Sequence, residues 1–197
     1  MKAKDSPGLG QSAGQGSGSS AGQGPGQGID RLLTAAIVLL AGALLWVVAG
    51  TMDVHVTNAG DQAPDFKIVG DDGKTYTRTD FGGKLLVLNF WASWCAPCVE
   101  EVPSLEAFQH VLGPEGVVVL GVSIDTSQKR YDQFLRRFRV DFPTARDPEA
   151  NIASNYGTFQ IPETYLIDST GKVREKIISN QNWVDPQFLD RVKTMLR

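Results

Sequence analysis

Cys95 and Cys98 are the only thiols in the 197-residue chain, and they sit in Trp91-Ala92-Ser93-Trp94-Cys95-Ala96-Pro97-Cys98-Val99-Glu100-Glu101. A bond between them would close too short a loop to restrict the unfolded chain much, so a structural staple is a poor use for the pair. Reversible disulfide chemistry is the better one. The preceding run, Leu85 to Phe90, reads as a buried strand, and the residues that follow read as a helix. Cys95 then falls at a helix N-terminus, where free N–H groups and the helix dipole favour a thiolate. It is the expected attacking thiol. Cys98, one turn further in, is expected to resolve the mixed disulfide. Pro97 lacks an N–H and suits a first helical turn.

Resolution needs a proton acceptor near Cys98. Glu101, three residues on, lies on the same helix face. If buried, it could pass protons to and from the thiol. The alternative is a surface glutamate favoured by the helix dipole, a reading that fits Glu100 better. A zinc centre wants four ligands. The two histidines, His55 and His110, fall in a tether and far along the helix, so no metal is expected. The disulfide is expected to need no separate cofactor.

The surrounding sequence supplies a frame for this pair. Asp65–Val69 and Lys74–Thr77 flank an Asp-Gly turn and predict a hairpin. Lys84–Phe90 is the central strand. Pro103 should kink the redox helix, whose Leu105, Phe108, Val111 and Leu112 recur at helical spacing. Val117–Ile124 is a second apolar strand. Ser127–Arg139 is an amphipathic helix, with its basic cluster read as a solvated face. A short helix over Ile152–Tyr156, strands over Thr164–Ile167 and Val173–Ile178 around a Ser-Thr-Gly turn, and a helix after Asp185-Pro186 complete the order. Alternating strands and helices predict an α/β fold, one mixed sheet with helices on both faces.

The N-terminal part is different. Residues 1–28 are rich in Gly, Ser and Gln and predict a disordered tail. The uncharged run from Leu32 to Gly50 would make a helix about 28 Å long, close to the thickness of a bilayer core. Residues 29–52 are therefore expected to be a membrane anchor. A cleaved signal peptide is the rival, although its apolar core is ordinarily shorter. Lys2, Lys4 and Arg31 precede the span and place the N-terminus in the cytoplasm. Residues 53–62 would be a tether and 63–197 the globular domain, in the periplasm or on the outer face of the cytoplasmic membrane. That compartment is oxidising. A net charge of −3 with no basic block gives no reason to expect nucleic acid.

Several runs carry a family resemblance: Ala63-Pro64-Asp65-Phe66, then Asn89 through Cys98 with Glu101 and Pro103, then Ile161-Pro162-Glu163-Thr164-Tyr165-Leu166-Ile167-Asp168 with Gly171. Together they resemble the membrane-anchored extracytoplasmic thioredoxins of the TlpA/ResA family. The Pro-Glu-Thr run is especially similar to the CcmG/DsbE branch, which supplies reductant for cytochrome c maturation. The resemblance covers about residues 60–197. It implies a thioredoxin-like fold with an N-terminal β-hairpin extension. It also implies a cis peptide at Pro162 and a substrate-facing surface made by Trp94, Ala96, Pro97, Ile161, Pro162 and Glu163. Glu163 could face the site or be an exposed charge at a strand entry. Trp91 and Trp94 are expected to pack beneath and beside the cysteines. Cytoplasmic thioredoxins carry a buried Asp where this chain has Asn89, which shifts the acid role towards Glu101. The implied substrates are protein disulfides, for example those of apocytochrome c, and an oxidising compartment then requires a membrane thiol donor. Two rivals remain. A thiol peroxidase would want a lone reactive cysteine within a Pro-x-x-x-Ser/Thr-x-x-Cys pattern that this chain lacks. A Sco-like copper-delivery factor would want wider cysteine spacing and a distal histidine.

Overall fold

The computed structural model describes residues 26–51 and 56–197. They fall into two units, Met1–Asp53 and Val54–Arg197. The first is helix α1, Gly26–Thr51, which begins ahead of the expected start at Ile29. Within it Asp30–Val48 has a mean hydropathy of 2.3 over 19 residues, with the apolar side chains exposed all round. Such a helix is long and apolar enough to cross a membrane. The rest of the Gly/Ser/Gln-rich tail, residues 1–25, lies outside the described residues.

The second unit is built on a five-stranded mixed sheet. Its strands are β3 (Leu85–Trp91), β4 (Val117–Ser123), β5 (Thr144–Arg146), β6 (Glu163–Asp168) and β7 (Val173–Ile178), in the order β5-β4-β3-β6-β7. Strand β3 lies at the centre, parallel to β4 and antiparallel to β6. Every residue of β3 is buried, as its run of apolar residues with only Asn89 polar leads one to expect. Alternate β3 residues feed two cores. Leu85 and Val87 join helix α2 (Ala96–Leu112) and helix α5 (Pro186–Met195) through Leu105, Phe108, Trp183 and Phe188. Trp91, on the same face, packs on helix α3 (Gln128–Phe138) through Tyr131 and Phe134. Leu86, Leu88 and Phe90 point the other way. They meet helix α4 (Asn151–Asn155), Tyr156, and the two-stranded hairpin of β1 (Lys67–Val69) and β2 (Thr75–Thr77).

Helix α2 contains Pro103 within one element, Ala96–Leu112. Three details depart from the sequence expectations. Strand β5 was not expected: three residues are too few to show a period, and the register Gly121↔Thr144 that holds them is long-range. Val111 is exposed, whereas Leu105, Phe108 and Leu112 are buried. The stretch expected as a loose tether is docked from residue 56 onward. Thr57 N donates to Tyr156 O at 3.0 Å, Gly60 N to Val173 O at 2.8 Å and Val173 N to Asp61 O at 2.9 Å. These bonds extend the domain to the N-terminal side of residue 63. At about 1 kcal/mol net per bond, a fragment comprising residues 56–197 should be about 2–3 kcal/mol more stable than residues 63–197. Urea unfolding of the two fragments checks this, and equal midpoints would show that the segment is a tether after all.

Candidate active site

Strand β3 ends at Trp91, and the chain turns through Ala92–Trp94 into α2. Asp125 fixes that turn. Its carboxylate accepts from Ser93 N at 2.8 Å, Ser93 Oγ at 2.7 Å and Ser123 Oγ at 2.8 Å. Asp125 is buried, and sequence reading missed it, since nothing in its neighbourhood points to a turn 32 residues earlier. Cys95 is the N-cap of α2: its Sγ accepts from Cys98 N at 3.3 Å. A helix N-terminus aimed at a sulfur stabilises a thiolate there when the pair is reduced.

Cys95 and Cys98 are joined as a disulfide. The Ile161–Pro162 peptide is cis, and Ile161 O lies 3.6 Å from Cys95 Sγ. The half-buried Ile161 thus meets Cys95, and the buried Pro162 follows it in the chain. Cys98 turns inward and is 1 % exposed. Pro97 occupies the first turn of α2, and Ala96 is exposed beside it. Trp91 packs against Phe134, with ring centroids 4.5 Å apart, beneath the site. Trp94 differs from expectation. It is 62 % exposed and stands in solvent instead of packing beside the cysteines.

Glu101 is 3 % exposed. One carboxylate oxygen accepts from Asn89 Nδ2 at 2.9 Å. The other accepts from Trp183 Nε1 at 3.2 Å and Gln181 N at 3.3 Å. Burial raises its pKa above the usual carboxylate range, while the donors from Asn89, Trp183 and Gln181 pull it part of the way back. Asn89 Nδ2 also donates to Thr164 Oγ1 at 2.9 Å. Asn89, Cys98, Glu101 and the buried Trp91 line one small cavity of ≈ 10 Å³. That is about the space of a single water molecule. Glu100, by contrast, is exposed and accepts from Asn180 Nδ2 at 3.1 Å.

Glu163 does neither of the two things expected of it. It is buried, pairs with Lys176 Nζ at 3.0 Å, and accepts from the hydroxyls of Tyr165 and Thr158. Register decides this. Thr164 pairs with Asn89 and reaches the Glu101 network, while Glu163 pairs with Phe90 and faces the opposite side of the sheet. Gln181 and Trp183 also escaped sequence reading. They lie 80 and 82 residues from Glu101, and no local pattern marks them.

A disulfide at the N-terminus of the helix after the central strand, faced by a cis-proline, defines the class: thioredoxin-fold thiol–disulfide oxidoreductases. Comparison with known proteins agrees. Residues 59–176 match the AhpC/TSA family. The chain is 31 % identical over 163 residues to the thiol-disulfide oxidoreductase ResA of Geobacillus thermodenitrificans, covering 81 % of this chain and 94 % of that protein. It is 32 % identical over 158 residues to ResA of Bacillus cereus, covering 77 % and 90 %. A crystal structure described as thiol:disulfide interchange protein DsbE from Chlorobium tepidum superposes with a TM-score of 0.65 at 29 % identity, covering 73 % of this chain and all of the other. The chain belongs to the AhpC/TSA family and, within it, to the ResA-like thiol–disulfide oxidoreductases.

A raised Glu101 pKa means that the folded protein holds this proton more tightly than the unfolded chain does. Its contribution to stability is complete below the unfolded carboxylate pKa of about 4.3 and is lost as pH rises through the higher folded value. Trp183→Phe removes a donor to the charged form and should push that value further up. The loss of stability should then extend to higher pH than in wild type. Urea midpoints between about pH 4 and pH 8 test this; superposable profiles would contradict it.

Proposed function

We propose that the protein reduces disulfides in other proteins on the outer side of a membrane, held there by α1. The observation that carries this reading is the asymmetry of the cysteine pair. The Cys95 sulfur meets the Ile161 carbonyl beside Pro162, whereas Cys98 shares a small inner cavity with Glu101. In the reduced protein the Cys95 thiolate attacks a substrate disulfide. A Cys95–substrate S–S bond forms, the substrate S–S bond breaks, and the departing substrate thiolate takes a proton from solvent. Cys98 then gives its proton to the Glu101 carboxylate, and the cavity has room for one water to carry it. The Cys98 thiolate attacks Cys95 Sγ, closes the internal disulfide and releases the second substrate thiolate, which is protonated in turn. The substrate gains two electrons and two protons. A membrane dithiol donor returns them to Cys95–Cys98 by the reverse exchange.

The haem-binding cysteines of apocytochrome c are the substrate class that fits best, from the Pro-Glu-Thr resemblance to the CcmG/DsbE branch. The positive-inside pattern of Lys2, Lys4 and Arg31 supports a cytoplasmic N-terminus, with the domain in the periplasm or on the outer face of the cytoplasmic membrane. Joining of Cys95 to Cys98 weighs against the thiol peroxidase reading, which needs a lone reactive cysteine. Ile161, Pro162, Trp94, Ala96 and Pro97 form the surface offered to substrate, and the opposite-facing Glu163 is no longer placed there.

Cys98→Ser should accumulate mixed disulfides through Cys95, and Cys95→Ser should accumulate none, as non-reducing gels of cell membranes will show. Equal trapping by both would remove the division of roles. A glutathione-buffered titration of Trp fluorescence should give a midpoint nearer the about −270 mV of thioredoxin than the about −120 mV of the oxidant DsbA. A midpoint near the latter would point to disulfide introduction instead. Glu101→Gln should shift the pH dependence of exchange and also lower stability by about 1–3 kcal/mol, because the new amide NH₂ must face at least one of the donors from Asn89, Gln181 and Trp183. Stopped-flow rates across pH read the first effect. An unchanged profile would sink the proton role.

A further inference from the structure

Beside the disulfide lies a surface groove with a volume of ≈ 340 Å³, formed where the start of α2 meets α3. Val99, Phe134 and Phe138 supply its apolar lining, with the exposed Trp94 beside them. Arg130 and Arg137 supply its charge. No carboxylate lines it. Among the described residues neither guanidinium is within ion-pair distance of an acid. Arg137 lies over the Phe138 ring, 5.4 Å from its centroid. The nearest acids in sequence are engaged elsewhere. Asp125 binds Ser93 and Ser123, Asp132 accepts from Gln128 Nε2 at 2.7 Å, and Asp141 lies 3.2 Å from His110 Nε2. In a chain whose net charge is −3, these two arginines put positive charge beside a half-apolar groove and the disulfide.

We propose that this groove receives the stretch of the protein substrate next to its reacting cysteine, and that this stretch is acidic with an apolar residue between the acids. The inference rests on the reading of the protein as a reductant of protein disulfides. Its own grounds are charge and spacing. Arg130 and Arg137 are seven residues apart on one helix, about 10 Å along its axis. An extended chain covers that distance in about three residues. Side chains of an extended chain alternate between its two faces. Acids four positions apart therefore face the same way and can meet both guanidiniums, while the residue midway between them covers Phe138 or Val99. Trp94 is covalently next to Cys95, so a substrate cysteine bonded to Cys95 puts its neighbours at the mouth of the groove.

The test uses the full chain in detergent and two model peptide disulfides. Each carries one cysteine followed within a few residues by either Glu-Ser-Phe-Ser-Glu or Lys-Ser-Phe-Ser-Lys. Every kcat/KM is divided by that for hydroxyethyl disulfide, which is neutral and too small to reach the groove. Wild type should prefer the acidic peptide by ~10-fold, the scale expected of two partly exposed ion pairs. The preference should shrink in high salt. Arg130→Glu with Arg137→Glu should reverse it, and Arg130→Lys with Arg137→Lys should largely keep it. Equal ratios for the two peptides in wild type, or an acidic preference that survives charge reversal, would overturn the proposal. Failure of wild type to reduce hydroxyethyl disulfide would overturn the underlying reading and the groove's role with it. Exchange with that small disulfide but no charge preference would overturn the groove alone.

Discussion

A buried carboxylate must be held by donors or give up its charge. Glu101 is held by three, drawn from the central strand and from the loop before the last helix. Leaving such a group without partners costs several kcal/mol, so the positions of Asn89, Gln181 and Trp183 are tied to one another through it. The indole of Trp183 is fully buried and also packs on Phe108 and Phe188, 5.4 and 5.3 Å between centroids. The same side chain thus closes the core between α2 and α5 and presents its N–H to the carboxylate. Strand, redox helix and C-terminal segment are locked around one titratable group next to Cys98.

That lock makes the two sulfurs unequal. On one side Cys98 faces a cavity too small for any substrate and shared with a proton-binding group. On the other, Cys95 meets the Ile161 carbonyl and the exposed Trp94. The disulfide sulfur carries no hydrogen, so its 3.6 Å approach to Ile161 O is contact alone; a thiol in the same place could donate to that oxygen. Asp125 adds rigidity by holding both the backbone N–H and the hydroxyl of Ser93, two residues before Cys95. Cys95 thus follows directly on a hydrogen-bonded turn.

Local chemistry explains which parts of this were legible in the sequence. The strand before Cys95, apolar but for Asn89, the cysteine spacing, the proline in the first helical turn and the amphipathic α3 all declare themselves within a few residues. Glu101 was legible as a candidate because it shares a helix face with Cys98. Its partners were not, because contacts across some 80 residues leave no period to read. Glu163 shows a different limit. A strand places neighbouring residues on opposite faces, so one step of register sends Thr164 to Asn89 and Glu163 to Lys176. The short strand β5 and the docked segment after residue 56 depend on pairing with distant backbone, which composition does not encode.

The claim on which the rest hangs is that Glu101 exchanges the proton that Cys98 must lose and regain. A carbon-13 NMR titration of the Glu101 side-chain carboxyl, recorded on oxidised and on reduced protein, tests it directly. A proton-exchanging Glu101 titrates above the usual carboxylate range in the disulfide form and shifts again when the neighbouring sulfurs are reduced, because the two titrations are coupled. A carboxyl that titrates in the ordinary range, at the same pH in both redox states, would contradict it.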